Sequence, residues 1–347
     1  MRATALAAVL TASLPAAAQR NAAIIDDAIY LAPQAMVAVE RGRRLNLHCV
    51  GKGPITVVFD AGLGEDMKVW AFVQPRVGGR TRACAYDRAG LGFSDPSPEP
   101  RTSAFLVRDL NRLLLAARIP PPYVLVGHSF GGMNIKLFAE TYPAQVAGLV
   151  FVDPSHEDLA ARAWALSPER AAAGLRYYAL MQSCLDAKPE DFVPGAPLTE
   201  ACATPPNAER LSPEIHAMEA ARDARYDVRY AWTSEQFNVW TASADQLRAA
   251  RRPLGDMPIV VLTHEPLLPR DGETREMTDA QNALRTELHT QIARMSTRGS
   301  IRTVHDSGHH FQLDQPQEVI AAVDEVLAMA SEDQARKRSR KSRAPTP

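Results

Sequence analysis

The sequence predicts an α/β protein whose core is a mostly parallel sheet of eight strands flanked by helices. Three observations support this prediction. Short runs rich in β-branched residues alternate with stretches of helical periodicity, which is typical of sheets covered by helices. Most of these runs are continuously apolar, as expected of strands buried on both faces. The chain has 347 residues, of which 46% are hydrophobic, so it can bury a large core.

The apolar runs give the order of the predicted elements. An opening hairpin is expected where residues 35–40 and 44–49 flank Arg41-Gly42-Arg43. Buried strands are expected at residues 55–59, 82–86, 123–126, 149–152, 259–262 and 301–304. Helices are expected at residues 103–117, 133–142 and 317–329, where apolar residues recur at helical spacing. Proline ends the first two helices because it cannot continue their hydrogen bonding.

Residues 155–255 interrupt this alternation. They are rich in alanine, arginine and proline, with helical stretches and no strand pattern. We predict a helical cap inserted between strands 6 and 7 of a core formed by residues 35–154 and 256–330; a scatter of surface helices is the alternative. The cap is favoured because the insertion starts at the carboxyl edge of the sheet, where open α/β sheets bind ligands. Residues 331–347 are polar and basic, and we expect a disordered tail.

The first 18 residues resemble a secretory signal peptide. Arg2 precedes the apolar stretch 3–14, and Ala16-Ala17-Ala18 offers a small-residue cleavage site. The apolar stretch is too short to span a bilayer, so we expect export to a periplasm or the cell exterior and no membrane span. A formal net charge of -1 gives no reason to expect nucleic acid as a partner. The oligomeric state stays open.

The four cysteines fit an exported protein. Cys184 and Cys202 lie in one irregular, proline-rich segment, where a disulfide would reduce the entropy of the unfolded chain. Cys49 and Cys84 fall on two predicted strands. Free buried thiols are the alternative for both pairs. No cysteine has the spacing of metal ligands, and we expect neither a metal nor a cofactor.

A candidate nucleophile lies on the turn Gly127-His128-Ser129-Phe130-Gly131. A predicted strand precedes this turn and a predicted helix follows it. A serine on such a sharp turn has a strained backbone, and the residues two before and two after it must be small for the chain to pass itself. Gly127 and Gly131 meet this requirement. The strand and helix around the turn indicate a nucleophilic serine, and a glycine-rich turn with an incidental serine is the alternative.

Two backbone N–H groups are candidates for an oxyanion hole. Acyl transfer places negative charge on a carbonyl oxygen, and preorganised N–H donors stabilise that charge. Phe130 directly follows the candidate nucleophile at a helix N-terminus. We expect the second donor in the glycine-rich loop Asp60-Ala61-Gly62-Leu63-Gly64 and assign it to Leu63. A plain strand-to-helix turn is compatible with the same residues.

Four segments together resemble the α/β-hydrolase superfamily, in its branch of capped serine esterases. They are the loop 60–64, Asp87-Arg-Ala-Gly-Leu-Gly-Phe-Ser94, the turn around Ser129, and Asp306-Ser-Gly-His-His310 with Asp314-Gln-Pro316. Their order and spacing match the family over residues 35–330. The resemblance implies the α/β-hydrolase fold, and it gives segment 87–94 a role in shaping the site without chemistry. It also makes the strands that hold Cys49 and Cys84 neighbours, so these cysteines could pair.

The resemblance places the general base after the last strand. His309 follows Gly308 and matches the family pattern, and His310 is the alternative. The histidines and aspartates between residues 305 and 314 could also form a metal site, but their spacing matches no metal motif. His128, within the turn, is interpreted as a packing or hydrogen-bonding residue.

The acid that would orient the histidine has several candidates. In most of the family it follows the seventh strand, where this chain has Glu265 and Asp271 without the usual glycine–aspartate turn. Some lipases of the superfamily carry it at the end of the sixth strand, which here ends Val152-Asp153-Pro154. We prefer Asp153, then Glu265. Asp153 fits equally well as a cap or turn residue that opens the insertion.

These residues predict a serine hydrolase that cleaves carboxylic esters, or related acyl bonds, of small molecules through an acyl-enzyme intermediate. Ser129 would attack, His309 would take and return the proton, and Asp153 would orient the histidine. A serine at the turn argues against the haloalkane dehalogenases and epoxide hydrolases that resemble this family, because they use aspartate there. Carbon–carbon bond hydrolysis on the same triad, or ligand binding without turnover, is the alternative.

Overall fold

The computed structural model describes residues 23–203, 210–269 and 272–343, and within them eight strands form one sheet in the order β1-β2-β4-β3-β5-β6-β7-β8. The strands are β1 (Ala35–Glu40), β2 (Arg43–Val50), β3 (Thr56–Asp60), β4 (Arg82–Tyr86), β5 (Tyr123–His128), β6 (Val146–Val152), β7 (Ile259–His264) and β8 (Gly299–Val304). β2 is antiparallel to both β1 and β4, and the remaining neighbours are parallel. The predicted fold class and strand positions are confirmed, apart from a few residues at strand ends.

Helices cover both faces of the sheet. They are α1 (Gln74–Gly78), α2 (Ser103–Ala116), α3 (Phe130–Thr141), α4 (Leu159–Trp164), α5 (Pro168–Asp186), α6 (Pro197–Ala201), α7 (Pro213–Asp223), α8 (Tyr226–Asn238), α9 (Ala242–Ala250), α10 (Arg275–Ala293), α11 (Phe311–Asp314) and α12 (Pro316–Arg343). Alternate residues of β5 point to opposite faces, as the pleat of a strand requires. Leu125 packs with Leu113 and Phe138 on one face, and Val124 packs with Trp70 and Val323 on the other.

Helices α4 to α9 form the insertion between β6 and β7, as predicted. Its interior contains a small apolar cluster of its own around Met181 and Trp232, with the Cys184–Cys202 disulfide buried beside them. The ring of Phe237 packs edge-on against Tyr178 in this cluster. These aromatic side chains therefore stabilise the packing of the cap helices on one another.

Both cysteine pairs form disulfides. Cys49 and Cys84 lie directly opposite each other in the antiparallel register of β2 and β4, and their Cα atoms are 4.1 Å apart. Cys184 and Cys202 connect α5 to the segment after α6 across 18 residues of sequence. The pairing that the sequence left open is thus present in core and cap alike, and no cysteine is free.

The last helix differs from the prediction. We expected a disordered tail from residue 331, whereas α12 continues to Arg343. Residues 331–343 contain no glycine or proline and are mostly good helix formers. The sequence of this segment is also rich in basic residues, whose positive charge suits the C-terminal part of a helix. The expectation of disorder is therefore corrected for residues 331–343, and residues 344–347 lie outside the described chain.

The predicted signal peptide, residues 1–18, also lies outside the described residues. None of the helices in the described residues combines the length and hydropathy needed to cross a bilayer.

Candidate active site

Ser129 lies on a strained turn between β5 and α3. Its backbone has φ 50° and ψ −115°, a conformation that residues with a side chain rarely adopt. A Cβ atom on Gly127 would come within 2.5 Å of the Gly131 carbonyl oxygen, and one on Gly131 would collide with the carbonyl oxygen of Asp60. Both glycines are therefore required where the sequence predicted them, and they let the Ser129 turn pack tightly against the end of β3.

Asp153 and His309 form a buried pair near this turn. His309 Nδ1–H donates a hydrogen bond to Asp153 Oδ2 at 2.6 Å, and both residues are more than nine-tenths buried. Asp153 has a positive φ of 41°, and its N–H donates to the carbonyl oxygen of Leu262 in β7. His309 lies in the segment between β8 and α11. The end of β6 thus holds the carboxylate that fixes the orientation and tautomer of the imidazole.

The pair shifts the pKa of each member. Burial would raise the pKa of Asp153, but the hydrogen bond and positive charge of His309 outweigh burial and hold it well below its usual range. Burial lowers the pKa of His309, and the hydrogen bond to Asp153 recovers only part of that shift. His309 is consequently neutral at neutral pH, as a general base must be, while Asp153 is ionised.

Further histidine and arginine side chains lie around Asp153. His264 Nε2 lies 3.7 Å from Asp153 Oδ2, and the guanidinium of Arg285 donates to the same nitrogen at 2.6 Å. His264 Nδ1–H in turn donates to the carbonyl oxygen of Glu265. His289 is buried nearby and donates through Nε2–H to the Pro154 carbonyl oxygen. These contacts fix the residues that pack around the carboxylate.

The hydroxyl of Ser129 has one hydrogen-bond partner among the described residues. Its Oγ lies 3.5 Å from Ser155 Oγ, and the Ser155 N–H donates to the Ser129 carbonyl oxygen at 2.9 Å. A direct hydrogen bond between Ser129 and His309 is absent from the described part of the chain. Such bonds are often long before substrate binds and shorten in the reacting complex. Ser155 follows β6 directly and therefore ties the turn around Ser129 to the strand end that carries Asp153.

The two candidate oxyanion donors lie at adjacent ends of paired strands. Asp60 of β3 pairs in register with Gly127 of β5, so the loop after β3 lies beside the Ser129 turn. Phe130 is the first residue of α3, where an N–H has no acceptor within the helix. The Leu63 N–H likewise makes no hydrogen bond to the described residues. Both groups are available to a ligand.

A buried ion network holds the loop after β3. The guanidinium of Arg88 donates to both carboxylate oxygens of Glu235 in α8, at 2.6 and 2.8 Å. It also donates to Asp60 Oδ1 and to the carbonyl oxygens of Ala61 and Gly62. Glu235 accepts a further bond from the Gly64 N–H at 2.7 Å. One cap residue and one core residue thus fix the loop on both sides of Leu63.

The other acid candidates lie elsewhere. Glu265 is half-exposed, and its carboxylate accepts from the Asp306 N–H and faces His305 Nδ1 at 3.4 Å. Asp271 lies outside the described residues. Asp314 pairs with Arg210 and accepts from the Gly308 N–H. The acidic and histidine side chains between residues 305 and 314 therefore have separate partners and do not converge on one point.

His310, the alternative base, belongs to a second cluster. Its Nε2–H donates to Glu65 Oε1 at 2.7 Å, and Glu65 Oε2 lies 3.0 Å from His128 Nδ1. The glutamate accepts a third bond from the Gly62 N–H. Ligand-type atoms of these three side chains lie within 4.8 Å of one another, so in principle they could hold a metal ion. The carboxylate is already engaged at hydrogen-bond distances on both oxygens.

Residues 57–323, more than half of the chain, match the family model described as "Alpha/beta hydrolase family". The chain belongs to this family. Among curated proteins, the alpha/beta hydrolase described here is similar to the uncharacterised protein YqjL of Bacillus subtilis (strain 168). The two are 25% identical over 288 residues, which cover 83% of this chain and 89% of YqjL.

Solved structures share the fold of this alpha/beta hydrolase. An esterase from Thermogutta terrifontis superposes with a TM-score of 0.55 at 20% identity, covering 86% of this chain and 99% of the esterase. The epoxide hydrolase CorEH superposes with a TM-score of 0.53 at 17% identity, covering 85% and 97%. At these identities the likeness establishes the fold and leaves the reaction open.

Sequence reasoning missed three residues around Ser129. Ser155, Glu65 and Glu235 carry no motif, and each acts through a contact between segments far apart in sequence. The position of Glu65, an acidic residue directly after the glycine-rich loop, was a weak sequence signal for a role in the site. No local pattern singles out Glu235, which lies 171 residues from its partner Gly64.

Proposed function

We propose that this alpha/beta hydrolase is a serine esterase that cleaves carboxylic esters of small molecules through an acyl-enzyme intermediate. The observation that carries the proposal is the buried hydrogen bond from His309 Nδ1 to Asp153 at 2.6 Å, beside a strained serine turn. A carboxylate that fixes the histidine tautomer leaves Nε2 free to accept a proton. Acyl transfer also requires N–H donors near the serine, and the loop after β3 and the start of α3 each offer one.

In the proposed reaction Ser129 Oγ attacks the ester carbonyl carbon while His309 Nε2 takes the hydroxyl proton. The tetrahedral intermediate collapses, the C–O bond to the alcohol breaks, and His309 returns the proton to the leaving alkoxide. Water then attacks the acyl-enzyme with His309 again as base, which releases the acid and restores Ser129. Asp153 stays ionised throughout and stabilises the imidazolium.

The N–H groups of Leu63 and Phe130 are the proposed oxyanion donors. Neither has an acceptor among the described residues, and both lie at the carboxyl edge of the sheet beside Ser129. Removing one such donor from an acyl-transfer enzyme typically reduces kcat by about 10²- to 10³-fold. The Arg88–Glu235 pair holds the loop that carries Leu63, and preorganised donors of this kind assist acyl transfer.

The esterase and the epoxide hydrolase each share only the fold with this chain, so the choice of substrate rests on the residue at the turn, which is a serine. A serine nucleophile gives an acyl-enzyme from an ester, which is the chemistry that this histidine–carboxylate arrangement assists.

A fluorophosphonate probe and a series of p-nitrophenyl esters of increasing chain length test the proposal. We expect the probe to label wild-type protein at Ser129 and the esters to be hydrolysed. The Ser129→Ala variant should lose labelling and about 10⁶-fold of kcat. A folded wild-type protein that neither reacts with the probe nor cleaves any ester would overturn the proposal.

We also propose that the protein is exported. All four cysteines are paired in disulfides, and such bonds persist in oxidising compartments. Protein isolated from its native host should begin near residue 19, and a mature chain that begins at Met1 would contradict export.

A further inference from the structure

The side chain of Glu65 lies among the three segments that carry the proposed catalytic groups, although it takes no part in the proposed reaction. It follows the loop with Leu63, and its carboxylate contacts His128 on the Ser129 turn and His310 beside His309. Asp153 already occupies Nδ1 of His309, so Glu65 is not the acid of the triad. Its role must therefore be sought in the contacts it makes.

The first contact closes the oxyanion loop. The Gly62 N–H donates to Glu65 Oε2 at 2.8 Å, and the Glu65 N–H donates to the Gly62 carbonyl oxygen at 3.1 Å. This reciprocal pair closes a tight turn with Leu63 inside it. A Cβ atom on Gly62 would lie 2.5 Å from Glu65 Oε2 and 2.7 Å from His128 Nδ1. The absence of a side chain at residue 62 lets the carboxylate approach the backbone.

The second contact extends to the backbone of His309. His128 Nε2 lies 3.0 Å from the His309 carbonyl oxygen. A carbonyl oxygen only accepts, so Nε2 carries the proton of this bond. His128 Nδ1 faces Glu65 Oε2 at 3.0 Å, and this contact is a hydrogen bond only if a proton lies on one of the two atoms. Glu65 thus fixes a ring that holds the main chain of the proposed general base.

The third contact fixes the neighbouring histidine. His310 Nε2–H donates to Glu65 Oε1, and the rings of His128, His309 and His310 pack with centroids 4.6 to 5.4 Å apart. Burial lowers the pKa of His310, but the charge of Glu65 outweighs burial and raises it. Burial would raise the pKa of Glu65, but the two histidines hold it well below its usual range. The ionised carboxylate accepts from the Gly62 N–H and from His310 Nε2–H, and it accepts from His128 Nδ1 when that ring carries a proton on both nitrogens.

We propose that Glu65 is a positioning residue that holds the oxyanion loop, the Ser129 turn and the His309 segment in register. The inference rests on the proposed serine-esterase function, since it concerns the groups assigned there. Acyl transfer requires the nucleophile, base and oxyanion donors to be placed together within a fraction of an ångström. Displacement by about 1 Å can reduce the rate about 10²-fold.

The test compares Glu65→Ala and Glu65→Gln with the matched control Glu325→Gln, which removes a half-exposed carboxylate paired with Arg302. We expect Glu65→Ala to lower kcat about 10²-fold with KM within about threefold of wild type. Glu65→Gln should retain an intermediate kcat because the amide oxygen can still accept from Gly62. The control should match wild type, and kcat should be measured well below each variant's unfolding temperature.

A double-variant comparison tests whether Glu65 acts through His128. If it does, kcat of the double variant Glu65→Ala with His128→Ala should lie within about threefold of kcat of the less active single variant. Multiplied losses would show that the two residues act independently and would overturn the proposed route.

Amide hydrogen exchange provides a readout that does not depend on turnover. Glu65→Ala should speed exchange at residues 61–65, 128–131 and 307–311 together, with the remaining core unchanged. This result would stand even if wild-type protein failed to cleave any ester, so failure of the esterase proposal remains distinguishable. Faster exchange confined to residues 61–65 would overturn the inference. A stoichiometric metal in purified protein, removed by chelator with loss of labelling, would overturn it in favour of a metal site.

Discussion

The carboxylates that follow β6 and β7 lie in opposite environments. Asp153, at the end of β6, is buried, and its oxygen accepts from His309 at 2.6 Å. Glu265, at the end of β7, is half-exposed, with 46% of its side chain accessible to solvent, and contacts the backbone of Asp306 and the ring of His305. Two neighbouring strands therefore present an acid at the same edge of the sheet, and only one of them reaches the histidine beside Ser129.

The difference arises from the backbone of each strand end. Asp153 has a positive φ, so the chain leaves the strand conformation at this residue, and the Asp153 N–H stays bonded to β7. Glu265 follows β7 after His264, whose ring lies near Asp153 and carries the contact to Arg285. The end of β7 therefore supports the carboxylate of β6 instead of supplying one. A buried acid stabilises an imidazolium more strongly than an exposed one because water does not screen it.

The largest expected effect is on turnover. Asp153→Asn should lower kcat for ester hydrolysis by about 10⁴-fold, because an amide can hold His309 in the wrong tautomer. Glu265→Gln should stay within about threefold of wild type. Steady-state kinetics on one p-nitrophenyl ester measures both. Equal losses of kcat in the two variants, or near-normal kcat in Asp153→Asn, would contradict the proposed difference between the two strand ends.

The next largest effect is expected on the acidic limb of the pH profile of kcat/KM. His309 must be neutral to accept the proton of Ser129, and burial lowers its pKa below the usual 6.5. The Asp153 carboxylate favours the charged imidazole, so its removal should lower the His309 pKa further and move the limb to lower pH. Residual activity of Asp153→Asn, profiled from about pH 4 to 8, measures the shift. Glu265→Gln should leave the limb in place, and an upward movement in Asp153→Asn would contradict the assignment.

The smallest effect is expected at Arg285, which donates to His264 beside Asp153. One hydrogen bond contributes about 1 kcal/mol net, so Arg285→Met should lower kcat/KM by roughly fivefold. Arg162→Met, at an exposed pair with Glu287, is the matched control. A loss as large as that of Asp153→Asn would mean that the guanidinium, more than the carboxylate, sets the state of His309.

Most of the fold could be predicted from the sequence because its signals are local. Continuous apolar runs marked β3, β5, β6 and β7, and proline marked the helix ends. The predicted end of α12 was wrong because composition alone does not separate a solvated helix from a solvated coil. The interior of the cap could not be predicted, since its packing depends on contacts between helices such as that of Tyr178 with Phe237.

The residues of the proposed site likewise differ in whether a local sequence pattern marks them. The Ser129 turn has a local pattern, and the structure brings His309 and Asp153 together as the sequence preferred. The roles of these residues stay predictions until variants are measured. Glu65, Ser155 and Glu235 could not be found in advance, because their contacts join segments 26 to 245 residues apart.

The Arg88–Glu235 pair has a consequence for how substrates reach Ser129. Glu235 belongs to α8 in the cap and accepts three hydrogen bonds from the core, two from Arg88 and one from Gly64. A hydrogen bond to a charged group contributes about 1.5–3 kcal/mol, so losing all three bonds, even at the lower figure each, would keep the open cap below about one molecule in a thousand. We therefore expect the ester to enter and the products to leave through local side-chain movements while the cap stays in place. The steady-state rate should then be set by chemistry and local exchange, with hinged opening of the cap playing no part.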